Sequence, residues 1–374
     1  MLTNNVATII AAESALPSSY YTTDEILEKI QLKPDSSLSS HINNLGVEGR
    51  YISLDYLTDY LTEKENRICK ETAKSLAISA IKKCIAKSDV DPLKIDLLIT
   101  VTNTQDRPMP CLACEAISEV DQIRKDINNL NLQNQGCSVF PKALDIANAH
   151  LLKNPGKYVL IVLSEAHSLF FAQFQVNALK ALHDCKSKKE FENTIRFISA
   201  MLFGDGAVAF ILGSEGCGLK MNYIGHITNF DKSHAEVIHM DEGGALIPSY
   251  QGIPFYHMTK DIAQTGILYA QKLLDSLRKQ KSASFCLSDY DHLFIHTGSK
   301  KILDGLFANI FKNSNVQEGQ LSYDILKKYG NLSSVSVPMM IYHFMQKPVK
   351  DKQCILALTF GVGFSGSIVE LSSQ

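Results

Sequence analysis

Asn131-Leu132-Gln133-Asn134-Gln135-Gly136-Cys137-Ser138 reads as a polar strand end closed by a glycine, and the apolar-periodic stretch from Val139 through Leu152 reads as the helix that follows. Working outward, almost uncharged β-type runs lie on both sides, Ile95 to Val101 upstream and Tyr158 to Leu163 downstream. Further runs of this kind are Ala207 to Leu212, His292 to Ile295 and Cys354 to Phe360, each short and nearly chargeless, as buried central strands are. Helical patterns separate them. The clearest places Ile68, Thr72, Leu76, Ala80 and Cys84 at steps of four, with Lys and Glu on the opposite side. Strands alternating with helices imply an α/β protein with buried sheets.

The order strand, polar segment, helix, strand occurs twice. Leu98, Leu132 and Leu160 mark it in the first half, at intervals of 34 and 28 residues; Phe294, Asn331 and Leu356 mark it in the second, at 37 and 25. The halves read as two copies of one unit, residues 1–215 and 216–374, with chemistry expected where their loops converge.

Composition excludes several classes. The 374 residues carry 37 Lys and Arg against 39 Asp and Glu, a net charge of −2 that argues against a general nucleic-acid binder. No Lys or Arg precedes Lys29, so the mildly apolar Val6 to Ala12 lacks the basic flank of a signal peptide, and no run approaches the roughly 20 apolar residues of a membrane span. Nine scattered cysteines, an odd number, point to a reducing compartment, read as the cytoplasm.

Three motifs compete for chemistry. Gly361-Val362-Gly363-Phe364-Ser365-Gly366 is a literal GxGxxG, but only eight residues follow it and Ile368 to Leu371 look like a strand, so it reads as a turn between two C-terminal strands rather than a dinucleotide cradle. Cys111 and Cys114 form a CxxC with no second pair at ligand spacing, and their apolar neighbours suggest buried thiols on a helix. The histidines show no metal-ligand spacing, so no metal is expected. Cys137 differs from the other cysteines, because its place before a helix favours a lowered thiol pKa and a nucleophile. Its candidate partners are His296, at a strand exit into Thr297-Gly298-Ser299, and Asn331, in the polar loop Tyr329 to Ser334.

These residues resemble the condensing enzymes of the thiolase superfamily, specifically the group containing β-ketoacyl-ACP synthase III and the chalcone-synthase-like type III polyketide synthases. Gln135-Gly136-Cys137 looks like that group's nucleophile segment, and Phe203-Gly204-Asp205-Gly206-Ala207 is similar to its FGDGA turn. His296 with Gly298 and Lys301-Ile302-Leu303-Asp304 resembles the histidine segment. Gly330-Asn331 with Ser336-Val337-Pro338 resembles the asparagine segment, and Phe360-Gly361-Val362-Gly363 the terminal glycine loop.

The resemblance implies a five-layered αβαβα fold of two pseudo-symmetric halves and a Cys137-His296-Asn331 triad reached by a tunnel. It further implies Met109 reaching across a dimer, Phe203 and Phe255 flanking the tunnel, and backbone N–H groups of Cys137 and Val362 at the oxyanion. Acyl-CoA or acyl-carrier-protein thioesters would be substrates, with no cofactor, and the assembly a homodimer or heterodimer. Two departures weigh against the coenzyme A clamps of the group: the chain has no Trp, and Ser36 to Gly49 holds no Lys or Arg. The activity implied is decarboxylative Claisen condensation. The alternatives are acyl transfer to oxygen or nitrogen, or a non-catalytic subunit of a heterodimeric synthase.

Overall fold

The computed structural model describes residues 6–54, 69, 71–171, 174–248, 256–281, 285–312, 316–348 and 352–374. The N-terminal half runs β1 (Thr8–Ala15), β2 (Ser19–Thr22), α1 (Thr23–Lys29), α2 (Ser37–Asn43), β3 (Gly49–Ile52), α3 (Ala73–Lys87), β4 (Ile95–Thr102) and α4 (Leu112–Glu119). It continues with β5 (Asn128–Gln133), α5 (Val139–Lys153), β6 (Tyr158–Glu165), α6 (Ser168–Phe171), α7 (Lys188–Leu202) and β7 (Gly206–Gly213). The C-terminal half runs β8 (Leu219–Thr228), β9 (Ile238–His239), β10 (His257–Met258), α8 (Ile262–Lys281), β11 (His292–Ile295), α9 (Lys300–Asn309), α10 (Gln320–Tyr329), α11 (Ser336–Met345), β12 (Cys354–Gly361) and β13 (Ser365–Ser373).

Strand pairing repeats between the halves. β4 lies parallel to β6, β6 antiparallel to β7, and β7 antiparallel to β1. In the same way β11 lies parallel to β12, β12 antiparallel to β13, and β13 antiparallel to β8. A short contact, Thr8↔Lys220 and Ile9↔Leu219, joins β1 to β8, so these eight strands, with β5 at the edge beside β4, form one nine-stranded sheet.

The layers follow from which helices touch which strands. α5 packs on β4 and β6 of one half and on β8, β12 and β13 of the other, and α11 touches β1 and β7 as well as β11 and β12. Both are therefore sandwiched between the halves. α3 and α4 cover the outer face of the first half, α8 that of the second. The side chains of β4 show why its run is apolar on both faces: Leu97, Ile99 and Val101 face the central helices while Leu98 faces α3. With a side-chain period of two, a strand covered on both faces must be apolar at every position. In the central layer Phe140 and Leu144 of α5 join one cluster with Met340 and Ile341 of α11, all fully buried. Cutting one such side chain to Ala costs about 2–5 kcal/mol.

Two local expectations need correction. Thr72 is the N-cap of α3, its hydroxyl accepting from the Ser75 amide, rather than a position on the helix face, and Ile68 lies outside the described residues. Cys114 is exposed and Cys111 only half-buried, because the apolar face of α4 is made by Leu112, Ala113 and Ala116. The glycine motif does link the antiparallel strands β12 and β13. Among the described residues no helix is long and apolar enough to cross a membrane.

Candidate active site

Four loops meet where the halves face each other. The Cys137 loop begins with Gly136 at φ 66°, a left-handed conformation natural to glycine. A side chain there would also be excluded by contact, since a Cβ would lie 2.5 Å from the Val362 nitrogen. Gly361 is as tightly placed, its Cβ position 2.8 Å from the Gln135 carbonyl oxygen. These glycines let the terminal loop lie directly against the nucleophile loop. Ser138 Oγ and Ser365 Oγ, 2.7 Å apart, tie the same two segments from beneath.

The FGDGA turn holds the asparagine loop. Phe203 and Asn331 form an isolated parallel bridge, with the Asn331 amide donating to the Leu202 carbonyl (2.8 Å) and the Gly204 amide to the Asn331 carbonyl (3.2 Å). A Cβ on Gly204 would lie 2.0 Å from the Tyr329 carbonyl oxygen, so only glycine permits that approach. Asp205 is buried below, accepting from the amides of Ser53 (2.7 Å) and Ser168 (3.0 Å). Its carboxylate therefore staples the turn to two other segments.

Cys137, His296 and Asn331 line one cavity of about 110 Å³, together with Phe203, Phe360, Val362 and Phe364. The Cys137 Sγ lies 3.3 Å from Ser333 Oγ. Asn331 Oδ1 accepts from the Ser333 amide at 2.8 Å, and a backbone N–H can only donate, so the side-chain amide nitrogen is left as the donor. His296 continues β11, its amide donating to the Leu358 carbonyl at 2.9 Å, and its buried Nδ1 has no hydrogen-bond partner among the described residues.

Burial decides the protonation states. It pushes the Cys137 thiol up to about 12, with the Ser333 hydrogen bond opposing weakly, and it lowers His296 to about 4. The resting pair is thus thiol and neutral imidazole. This runs against the expectation that a place before a helix lowers the thiol pKa: Cys137 sits in a 3₁₀ turn before α5, and desolvation is the first cause of the rise.

The remaining sequence candidates divide. Phe203 lines the cavity and stacks on His167, ring centroids 4.4 Å apart. Met109 is 83% exposed and does not line this chain's own cavity. Phe255 lies outside the described residues; its neighbour Tyr256 does line the cavity.

Sequence reasoning missed a carboxylate beside the triad. Glu165, completely buried at the end of β6, accepts from Asn103 Nδ2 (2.6 Å), the Asn103 amide (3.1 Å) and Thr104 Oγ1 (2.9 Å), and also from Ser334 Oγ. Asn103 in turn accepts from the Gly136 amide at 2.9 Å, so Glu165 fixes the nucleophile loop through one intermediary. Burial raises its carboxyl to about 7 despite these donors. The signal was available: one acidic residue closing an otherwise chargeless strand.

Comparison with known proteins finds similar sequences and similar folds. Residues 51–173 match the family described as FAE1/type III polyketide synthase-like protein, and residues 281–371 match the 3-oxoacyl-[acyl-carrier-protein] synthase III C terminal. A β-ketoacyl-[acyl-carrier-protein] synthase III from Natranaerobius thermophilus is 24% identical over 369 residues, 97% of this chain and 96% of the relative. Among solved structures, cerulenin-bound OleA of Xanthomonas campestris superposes with TM-score 0.79 at 18% identity, covering 100% of this chain and 98% of that one. The C-terminal type III polyketide synthase domain of Steely1 from Dictyostelium gives 0.75 at 18%, covering 99% of each. The chain has the fold of these solved structures and is similar in sequence to β-ketoacyl-ACP synthase III and to the type III polyketide synthase family.

Proposed function

We propose that the chain joins an acyl group to a malonyl-type thioester by decarboxylative Claisen condensation, working as an acyltransferase through an acyl-Cys137 intermediate. The observation that carries this reading is the convergence of Cys137, His296 and Asn331 on one apolar cavity. In the first step Cys137 sulfur bonds to the acyl carbon, and the departing thiol takes up the proton. The high thiol pKa means that deprotonation accompanies acylation instead of preceding it. In the second step the extender loses CO2 and its electron pair moves onto the thioester oxygen as an enolate. Neutral His296 and the Asn331 amide donate hydrogen bonds to that oxygen; in an apolar site such fixed donors count for more than in water. The enolate carbon then bonds to the acyl carbon, and Cys137 leaves with the electron pair and takes one proton from solvent to return to the thiol.

On the same reading residues 1–215 supply the nucleophile and residues 216–374 the two donors. Backbone N–H groups at Cys137 and Val362 serve the tetrahedral intermediate, and exposed Met109 reaches a second copy in a dimer. The substrates are thioesters of coenzyme A or a carrier protein, with no cofactor, in the cytoplasm. Incubation with acyl and malonyl thioesters tests the proposal: CO2 release together with an acyl mass on Cys137 is expected, and acyl transfer without CO2 release overturns it.

A further inference from the structure

β9 and β10 form a two-residue antiparallel ladder at the cavity wall, pairing Ile238 with Met258 and His239 with His257. Alternation sends each pair to its own face. Ile238 and Met258 line the catalytic cavity; the other pair, His239 and His257, stack at 4.9 Å with rings 7° from parallel. Asp241 closes the group. Its Oδ1 lies 3.6 Å from His239 Nε2 and its Oδ2 lies 3.4 Å from His257 Nε2, and all three donor atoms fall within 4.8 Å of one another.

We infer that His239, Asp241 and His257 form a binding site for a divalent transition-metal ion of the zinc class, set on the outer face of the tunnel wall. Three observations converge. Two imidazoles and a carboxylate are the donor set that borderline ions such as Zn²⁺ take, with a water completing four-coordination. The two nitrogen-to-oxygen spacings, 3.6 and 3.4 Å, also lie near the roughly 3.3 Å that bonds of 2.0–2.1 Å put between neighbouring ligand atoms in a tetrahedron.

The third observation is independent of the cluster. His239 Nδ1 lies 3.0 Å from the Glu236 carbonyl oxygen, which can only accept, so Nδ1 carries the hydrogen and Nε2 is left with its lone pair. That is the backbone contact that fixes the tautomer of metal-ligating histidines.

The consequence reaches the cavity. β9 is anchored to the terminal glycine loop, Ile238 and Gly363 exchanging amide hydrogen bonds of 3.0 and 2.8 Å. β10 is held to β9 by a ladder of only two residue pairs, short for independent stability. A metal bound across the ladder clamps β10, and with it the Met258 wall of the acyl cavity.

The test uses full-length protein without a histidine tag, stripped with chelator. Zn²⁺ titrated by calorimetry is expected to bind at one equivalent per chain, at least about tenfold more weakly in His239→Gln and His257→Gln, with circular dichroism unchanged. Co²⁺ in its place is expected to show tetrahedral visible bands without thiolate charge transfer. Absence of binding, equal affinity in the variants, or thiolate charge transfer that disappears in Cys111→Ser each overturns the inference.

Discussion

Gly136-Cys137-Ser138 and Ser333-Ser334-Val335 are the same turn in the two halves. Each is one 3₁₀ turn running straight into a helix, α5 or α11, whose third residue is proline, Pro141 or Pro338. Each starts left-handed, Gly136 at φ 66° and Ser333 at φ 53°. The difference lies in what the first two residues do. Gly136 has no side chain and lets Val362 close over it, whereas Ser333 keeps a hydroxyl that reaches Cys137 Sγ. Cys137 faces the cavity, while Ser334, its counterpart, is buried and donates to Glu165. One copy presents the Cys137 thiol to the cavity and the other ties Ser334 to Glu165.

The largest expected effect comes from exchanging those counterparts for alanine. Cys137→Ala should give no acyl adduct by intact mass and lose at least about 10³-fold in turnover, since no group remains to carry the acyl chain. Ser334→Ala should still acylate. It deprives Glu165 of a donor and should cost about 1–3 kcal/mol of stability, read from denaturant unfolding. Equal loss of adduct in both variants breaks the asymmetry.

Reactivity of the thiol sharpens the same contrast. With the Cys137 thiol near 12, alkylation of the resting enzyme should rise about tenfold per pH unit through the neutral range and show no plateau below pH 10. A plateau between pH 6 and 8, followed by mass spectrometry of the Cys137 peptide, would mean that an ion pair forms before substrate arrives.

A third expectation concerns the backbone. Gly136→Ala must hold alanine at positive φ and place its Cβ 2.5 Å from the Val362 nitrogen. Left-handed alanine costs about 1–2 kcal/mol and the contact adds to it, so a loss of roughly 2–4 kcal/mol in unfolding free energy is expected. A variant as stable as the parent would show that the two loops are not held in contact.

These comparisons show which parts of the site are legible in a sequence. Cys137 and His296 stood out as candidates because each follows a chargeless run, and Asn331 because its polar loop holds the matching place in the repeat. The strand runs were legible for a related reason: Ile99 and Leu98 face different helices, so neither position tolerates charge. What could not be read depends on partners far apart in the chain. Glu165 and Ser334 are separated by 169 residues, Cys137 and Ser333 by 196. The thiol pKa was misjudged because a helix terminus is local and visible, while the burial that overrides it is built by loops from both halves.

The smallest expected effect is the pH dependence that Glu165 imposes. Its carboxyl is raised from an ordinary 4.5 to about 7, with burial as the first cause. Below about pH 4.5 both folded and unfolded chains hold the proton, and Glu165 contributes no slope. Between 4.5 and 7 the unfolded chain releases it while the folded chain keeps it, so stability falls as pH rises, and above 7 the loss is complete. His296 and His167, lowered to about 4 and about 3, act in the opposite sense up to 6.5, and the total curve therefore conceals the Glu165 share. Subtracting Glu165→Gln exposes it: the variant should lack a decline of about 1–3 kcal/mol between pH 4.5 and 7. Parallel curves would mean that the four donors around Glu165 hold it ionised throughout. The brace on the nucleophile loop would then be a fixed charge, with no proton to lose.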